Sequence, residues 1–572
     1  MKDILCGIDL GTTNSSIAYL RDGKPTVIDI EEGSGIVPSV VSLDEATQEI
    51  LVGRVAKNRL AAFPDHTIRS IKRLMGKETR VSLGKQTFSP EEVSSFILKY
   101  LVQKASEKLG CEIRETVITV PAYFNDAQRR ATIKAGELAG LSVSRIINEP
   151  TAASLVYDHL ALGAESTSPY ILVYDLGGGT LDVSILKING EIKEVLASCG
   201  DTALGGDDFD ERLTGFFLRH FKERTGIDSS FTDRALHVRL REIAERTKIA
   251  LSDTPYVRVK EVAITTVQGA PFNLDLEIQR HDYEEMIGDL VQRTIDKVHE
   301  ALREAHLHQD DIGKVILVGG ATKTPLVMTM LAEMFDHPID HSIDPDLCVA
   351  MGASVQNGLI SGEPLGHILL DVTAHSLGVK TADEMDEDSG DADFFSVIIR
   401  RNTKVPVRKA EVYYTLFESQ PGVDVEVYQG ESRSCKQNTQ IGSFFYPLKP
   451  SPAGSPVVAE FAYDKEGIVH ITVDQKGYLN RKEVTLDVRK KTIFEDRGEV
   501  REQKILNYII QKSRRLIEDE HLTPDLRGEL ETLTGQYEEA LKSGEDDRLI
   551  DQYEDRLLEK MEEAEERLKA LE

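Results

Sequence analysis

The five cysteines of this chain, Cys6, Cys111, Cys199, Cys348 and Cys435, lack metal-ligand spacing and stand far apart. That excludes a sulfur-held metal and a disulfide framework, and fits reduced, mostly buried thiols of a cytoplasmic protein. No apolar run approaches membrane-spanning length, so no membrane is expected. The first strand-like residues follow Met1 closely, and no signal peptide is expected. Positive charge is in deficit: 68 Lys and Arg face 97 Asp and Glu, a formal charge of −29. Such a balance disfavours nucleic acid and anionic surfaces as main partners.

What is present is length, for about four domains in 572 residues, and a design used twice. Ile171 to Leu186 reads ILVYDLGGGTLDVSIL: an apolar strand ending at Asp175, a turn of three glycines and Thr180, then alternation again. It predicts a hairpin of two buried strands. Glycines let a backbone approach a ligand closely, and the N–H groups of such a turn suit phosphate oxygens. A carboxylate beside it, Asp175, can hold a hydrated Mg2+. Most glycine-rich hairpins only turn the chain. Here, however, Ile4 to Ala18 repeats the plan, with Asp9-Leu10-Gly11 and the hydroxyl-rich Thr12-Thr13-Asn14. Two such hairpins suggest duplicated lobes facing each other over one nucleotide. Neither is followed by Gly-Lys-Ser/Thr or opens a helix, so neither is a Walker loop or a dinucleotide fingerprint.

Residues 1 to about 366 alternate strands and helices, as a layered α/β domain does. The spacing predicts a helix over Glu91 to Leu109, a buried strand over Thr116 to Val120, and a helix from Asn125 or Asp126 to Ala139, halted by Gly140. Arg145 to Asn148 reads as a short strand, and Glu149-Pro150 opens a further helix. Gly205-Gly206 precedes another, and Val315 to Thr322 reads as strand, double glycine, helix. Taken alone, Lys72 reads as a solvated lysine and Glu149 as a complement to its helix dipole. Glu245, Lys248 and Ser252, at spacings of three and four on one face of the helix Arg239 to Leu251, read as a salt-bridged face. The apolar segment 367–372 reads as a buried strand. From Thr373 to Val488 strands alternate: Val423, Val425 and Val427 share a face, as do Val469, Ile471 and Val473, and Val484, Leu486 and Val488. Asp464 to Gly467 turns one hairpin. The last 80 or so residues read as helical, one helix running from Thr523-Pro524 to Ser543-Gly544. A stripe follows of Ile550, Tyr553, Leu557, Met561, Ala564, Leu568 and Leu571.

The segments DLGTTNS, IKRLMG, VPAYFND, INEPTAA, DLGGGT, LGG-DFD and LVGGAT-TP, in this order and spacing, resemble the 70-kDa heat-shock chaperones of the DnaK type. The resemblance implies a multidomain protein: an actin-like two-lobed ATPase domain over residues 1–366, a linker over 367–372, a β-sandwich peptide-binding domain over 373–490 and a helical lid over 491–572. The lid is short for the family, which suggests the short-lid bacterial branch (HscC-like). The function implied is ATP-driven binding and release of apolar segments of client polypeptides, with ATP or ADP, Mg2+ and, as a further ion, K+. Expected partners are clients, a J-domain co-chaperone and a nucleotide exchange factor. The rival readings that share the fold are a small-molecule kinase and a filament-forming ATPase. A kinase has no need of 200 further residues of sandwich and lid, and a filament former none of the apolar linker.

By the same resemblance Asp9 and Asp175 flank the metal through its water shell. Gly11, Thr12, Thr13, Asn14 and Gly177, Gly178, Gly179 and Thr180 surround the phosphates. Lys72 places the attacking water, Glu149 orients it, and Asp182 stands nearby. Gly205 and Gly206 belong to the nucleotide site; Glu245, Lys248, Ser252, Gly319, Gly320, Lys323 and Asp346 form its adenosine side. Pro121 and Arg129 match an ATP-sensing switch, Arg145 and Asp371 a J-domain contact, and Ile368, Leu369 and Leu370 the linker. Tyr413, Leu416, Val423 and Val425 match the peptide cleft. The chain departs from the family pattern at Lys323 for Arg, at Ala203 and Asp207 for His and Glu, at Ala459 for a larger aliphatic and at Gly454 for Arg. Ala382 to Asp393 carries seven acids in twelve residues, either a solvated insert or a loop that selects clients with basic flanks.

Overall fold

The computed structural model describes residues 4–21, 23–31, 33–160, 168–189, 192–228, 234–335, 339–340, 343–363, 365, 368–381, 394–464, 468–485, 513–514, 516–517 and 522–543, and single positions between 553 and 567. It divides into two compact units. The first comprises Met1–Ser376, Arg400–Val407 and Asp464–Ile468; the second comprises Leu377–Ile399, Arg408–Tyr463 and Val469–Glu572.

Each half of the first unit is built on one of the glycine hairpins. In the first half, Cys6–Asp9 pairs antiparallel with Asn14–Arg21 and parallel with Glu115–Val120, which pairs parallel with Ser142–Asn148. In the second, Tyr170–Leu176 pairs antiparallel with Leu181–Asn189 and parallel with Ile312–Val318. The plan of hairpin plus parallel crossover strand is thus repeated, as the sequence suggests. Three apolar cores support it. One lies around Ile8, Ile17 and Leu101, one around Tyr174, Phe209 and Leu317, and one around Val173, Leu186 and Ala353. Burying side chains of this size stabilises by about 1.5–3 kcal/mol each, before chain entropy is set against it. Tyr174 is fully buried and satisfies its hydroxyl on Thr294 Oγ1 at 2.6 Å.

Local rules place the helices. Asn125 caps the helix Asp126–Leu138 and exchanges hydrogen bonds with Gln128, both 3.0 Å; Gly140 beyond it has φ +86°. Ser89 caps Pro90–Leu109 in the same way. Two expectations need correction. The helix after the double glycine at 319–320 starts only at Pro325, because a 3-10 turn over Gly320–Lys323 comes first. The helix carrying Glu245 runs over Arg234–Asp253, beyond both expected ends.

The segment Ile368–Val372 is a strand of the second sheet. It pairs parallel with Ile192–Asp201 (Ile192 with Ile368, Lys193 with Leu369, Glu194 with Leu370) and antiparallel with Lys404–Val405.

The second unit holds two four-stranded sheets. One orders Phe394–Ile399, Leu377–Thr381, Gly422–Gln429 and Thr439–Pro447; the other orders Val407–Tyr414, Pro456–Tyr463, Val469–Gln475 and Asn480–Thr485. Val469, Ile471, Val473 and Val484 are buried on one face. Buried polar contacts tie sheet to sheet: Gln429 Nε2 donates to Tyr463 Oη at 2.6 Å, and Gln475 N to Tyr446 Oη at 3.1 Å. In the same unit the helix Pro524–Ser543 packs Leu526, Leu530, Leu533 and Tyr537 against Leu557, Met561 and Ala564. The acidic run 382–393, the turn residues 465–467 and Ile550, Leu568 and Leu571 lie outside the described residues.

Candidate active site

Asp9 ends the first strand and Asp175 stands opposite Asp182 across the second hairpin. Lys72 comes from the 3-10 turn Ile71–Leu74 and Glu149 from the start of the helix Glu149–Leu160. Lys72 is only 4% exposed, and its Nζ lies 2.5 Å from Glu149 Oε1. Asp9, Glu149, Asp175 and Asp182 set four carboxylates against one ammonium in a buried space. Burial, then Glu149, pushes Asp9 up to about 7; the same two causes, in the same order, push Asp182 up to about 7. Asp175 is raised by burial and by Glu149, Asp182 and Asp9. Burial pulls Lys72 down, but Glu149 and Asp9 outweigh it, so the ammonium persists. Surplus negative charge of this kind suits a cation. Among the described residues no three His, Cys, Asp or Glu side chains converge as a metal-ligating group.

Two glycine loops meet each other. Gly206 N and Asp207 N donate to Gly177 O and Gly178 O at 2.9 and 2.7 Å. A Cβ on Gly205 would sit 2.6 Å from the Gly178 carbonyl carbon, so only glycine allows the approach. Thr12 and Thr180 are nearly buried beside these turns, while Thr13 Oγ1 reaches Asp207 Oδ1 at 3.4 Å.

Further out, a pocket is lined by Thr12, Thr13, Lys57, Arg69, Ser70 and Glu245, joining the first hairpin to the helix Arg234–Asp253. Glu245 pairs with Lys57 at 2.7 Å. Lys248 pairs with Asp210 at 2.8 Å and donates to Gly206 O at 3.0 Å, and Ser252 Oγ donates to Lys248 O. Lys323 reaches Asp346 at 2.6 Å and Asp344 at 3.4 Å, just after Gly319 and Gly320.

Motif reading left some members out. Asp207 appears there only as a departure, yet it binds Ser70 Oγ at 2.6 Å, Arg69 at 3.2 Å and Arg241 at 3.3 Å. Burial works against its charge, but Arg69 and Arg241 hold its carboxyl below the usual range. Arg73 and Asp208 pair at 2.6 Å beside it. The signal available was the basic run Arg69-Ser70-Ile71-Lys72-Arg73 and the acid pair after Gly206.

At the far end of the strand Glu115–Val120, Pro121 O accepts from Phe124 N, and Arg129 donates to Ala122 O, Phe124 O and Asn148 Oδ1. Asn148 Nδ2 donates to Asp371 Oδ2 at 2.8 Å, and burial raises the Asp371 carboxyl. Arg145 is half-buried on the neighbouring strand. In the second unit Tyr413 Oη shares a hydrogen bond with Ser396 Oγ at 3.0 Å. Val423 and Val425 are half-buried, and Leu416 is 76% exposed with Phe417 and Tyr414.

A family model described as Hsp70 protein matches residues 5–572. The chain belongs to the Hsp70 family. Chaperone protein DnaK of Thermotoga neapolitana is 42% identical over 503 residues, 86% of this chain and 82% of the relative. The DnaK of Methanothermobacter thermautotrophicus is 40% identical over 501 residues, with the same coverage, and that of Thermotoga maritima is 43% identical over 484. This Hsp70 is an ATP-dependent chaperone and an ATPase that binds nucleotide and client polypeptides. The kinase and filament readings are not favoured. No helix among the described residues of the Hsp70 chain is long and apolar enough to cross a membrane.

Proposed function

We propose that Mg-ATP is hydrolysed within the Lys72, Glu149, Asp175 and Asp182 cluster, and that this drives closure of the second unit on an extended apolar client segment. The observation that carries the reading is the buried Lys72–Glu149 pair, whose charges act on Asp9 and Asp175, the carboxylates beside the two glycine turns. Phosphoryl transfer to water asks for positioning and charge neutralisation more than covalent help. Lys72 places the attacking water and offsets charge on the γ-phosphate, Glu149 orients that water, and the carboxylate set takes up its proton. Gly177 to Thr180, with Gly11 to Asn14, surround the phosphates. Glu245, Lys248, Ser252, Gly319, Gly320, Lys323 and Asp346 hold the adenosine side. Asp9 and Asp175 would hold Mg2+ through water, and the ion supplies neutralisation of phosphate charge; K+ would join as a second ion.

The domain division proposed is 1–366, 367–372, 373–490 and 491–572, with cytoplasmic residence supported by free, mostly buried cysteines. Arg145 and Asp371 receive a J-domain partner, and an exchange factor releases ADP. Tyr413, Leu416, Val423 and Val425 receive the client, largely through main-chain hydrogen bonds plus one side-chain pocket. The exposure of Leu416 supports that reading.

Lys72→Ala tests it. Losing a group that positions and neutralises in the transition state costs about 3 kcal/mol, more than a hundredfold in rate. Single-turnover hydrolysis should fall accordingly while nucleotide stays bound. A rate within threefold of the unsubstituted chain, at full occupancy, would contradict the assignment.

A further inference from the structure

Three consecutive carbonyl oxygens after the strand Glu115–Val120 each accept a side-chain donor. Arg129 Nη2 donates to Ala122 O at 3.0 Å and Arg129 Nε to Phe124 O at 3.1 Å. The middle oxygen, Tyr123 O, lies 3.0 Å from His375 Nε2, a residue 252 positions away in sequence. The Tyr123 and His375 rings also pack edge to face, with centroids 4.2 Å apart. On its other side Tyr123 donates its N–H to Asp182 Oδ1 at 2.9 Å. The second oxygen of that carboxylate, Oδ2, is buried and has no hydrogen-bond partner among the described residues. The Tyr123 backbone therefore anchors Asp182, and His375 anchors that backbone.

We propose that His375 is a positioning residue for ATP hydrolysis: it holds Tyr123 so that Asp182 stays in place, and makes that placement depend on the segment that follows the linker strand. The inference rests on the reading of Asp182 as part of the hydrolytic site. A carbonyl can only accept, so Nε2 must carry the proton. Burial, with Arg129 and Arg401 nearby, pushes the His375 imidazole down to about 4, so the ring is neutral at ordinary pH. One ring nitrogen is then a donor, and it is spent on Tyr123. The same short segment carries Asp371, which takes Asn148 Nδ2, and Asn148 Oδ1 in turn takes Arg129. Residues 371 and 375 thus secure both the Arg129 clamp and the carbonyl it leaves over. When the segment departs, Tyr123 O loses its donor and the Asp182 anchor loosens.

The test uses the full chain with His375→Phe, His375→Gln and His375→Asn. Phe keeps a ring but donates nothing; Gln places an amide donor where Nε2 stands; Asn places one too short to reach. Expected is a fall of about five- to tenfold in single-turnover hydrolysis for Phe and Asn, with ATP and ADP affinities within about twofold, and recovery to within about twofold in Gln. Hydrolysis by His375→Phe at the unsubstituted rate overturns the proposal. So does an equal loss in the Gln and Asn variants, the pattern of mere packing, and this pair decides if the Phe variant fails to fold. Asp182→Asn in the same assay separates the two levels. If it is slow while His375→Phe is not, His375 has no such role; if it hydrolyses normally, the site assignment fails and takes this proposal with it.

Discussion

Lys72 shows how far a single residue can be read from sequence. In its turn it has the features of a solvated lysine, and only the IKRLMG motif marks it. Its burial depends on Glu149, 77 residues away, and a pairing across that separation leaves no local pattern. The two aspartates of the hairpins were legible because each ends an apolar strand beside glycines. Asp207 was legible only as a departure, since its partners Arg69 and Arg241 come from other elements. Those contacts give a prediction. Asp207 is 3% exposed, and removing one partner of a buried ion pair costs about 3–5 kcal/mol because the remaining charges are left uncompensated. Asp207→Ala should therefore loosen the nucleotide cleft and speed ADP release by tenfold or more, measured by stopped-flow displacement of a fluorescent ADP. Unchanged release would show that the cluster does not hold the cleft.

Among elements, the strand Ile368–Val372 has the clearest functional consequence. It was legible as a strand from its apolar run, while its part as a linker is an expectation from the resemblance. Which strand it joins was not, because a parallel partner such as Ile192–Asp201 is chosen by the sheet as a whole. Its register pairs are few, three with Ile192–Asp201 and two with Lys404–Val405, as suits a strand that docks reversibly. Replacing Leu369 and Leu370 together by Asp puts charge into that pairing. Basal ATP turnover should persist and its stimulation by an apolar peptide should disappear; stimulation at the unsubstituted level would refute transmission through this strand. The late start of the helix at Pro325 has a local cause that was readable in hindsight. Proline suits a first helical turn, and the 3-10 turn before it accommodates the double glycine.

For the whole molecule, the duplicated hairpins made the two-lobed ATPase plan legible, and alternation did the same for the sheets of the second unit. The acidic run 382–393 remains a sequence expectation. The net surplus of buried carboxylates has a global signature in the absence of metal and nucleotide. A carboxyl raised in the folded state stabilises below its unfolded value and loses that contribution as pH rises through the folded value. Asp9 and Asp182, both pushed up to about 7, should therefore lower the stability of the metal-free chain between pH 6 and 8 by about 2 kcal/mol. The melting temperature should fall over that range, and Mg-ADP should abolish the fall; a flat or rising profile in metal-free protein would contradict the charge arrangement. The central claim, that hydrolysis in the first unit is coupled to client binding in the second, is tested most directly by one assay. ATP turnover of the full chain is measured with and without an unstructured apolar peptide, with product analysis and sedimentation on the same samples. The account predicts that peptide raises turnover, that the phosphate released is inorganic, and that nothing sediments. Turnover indifferent to peptide, or phosphate recovered on a small molecule, would contradict it.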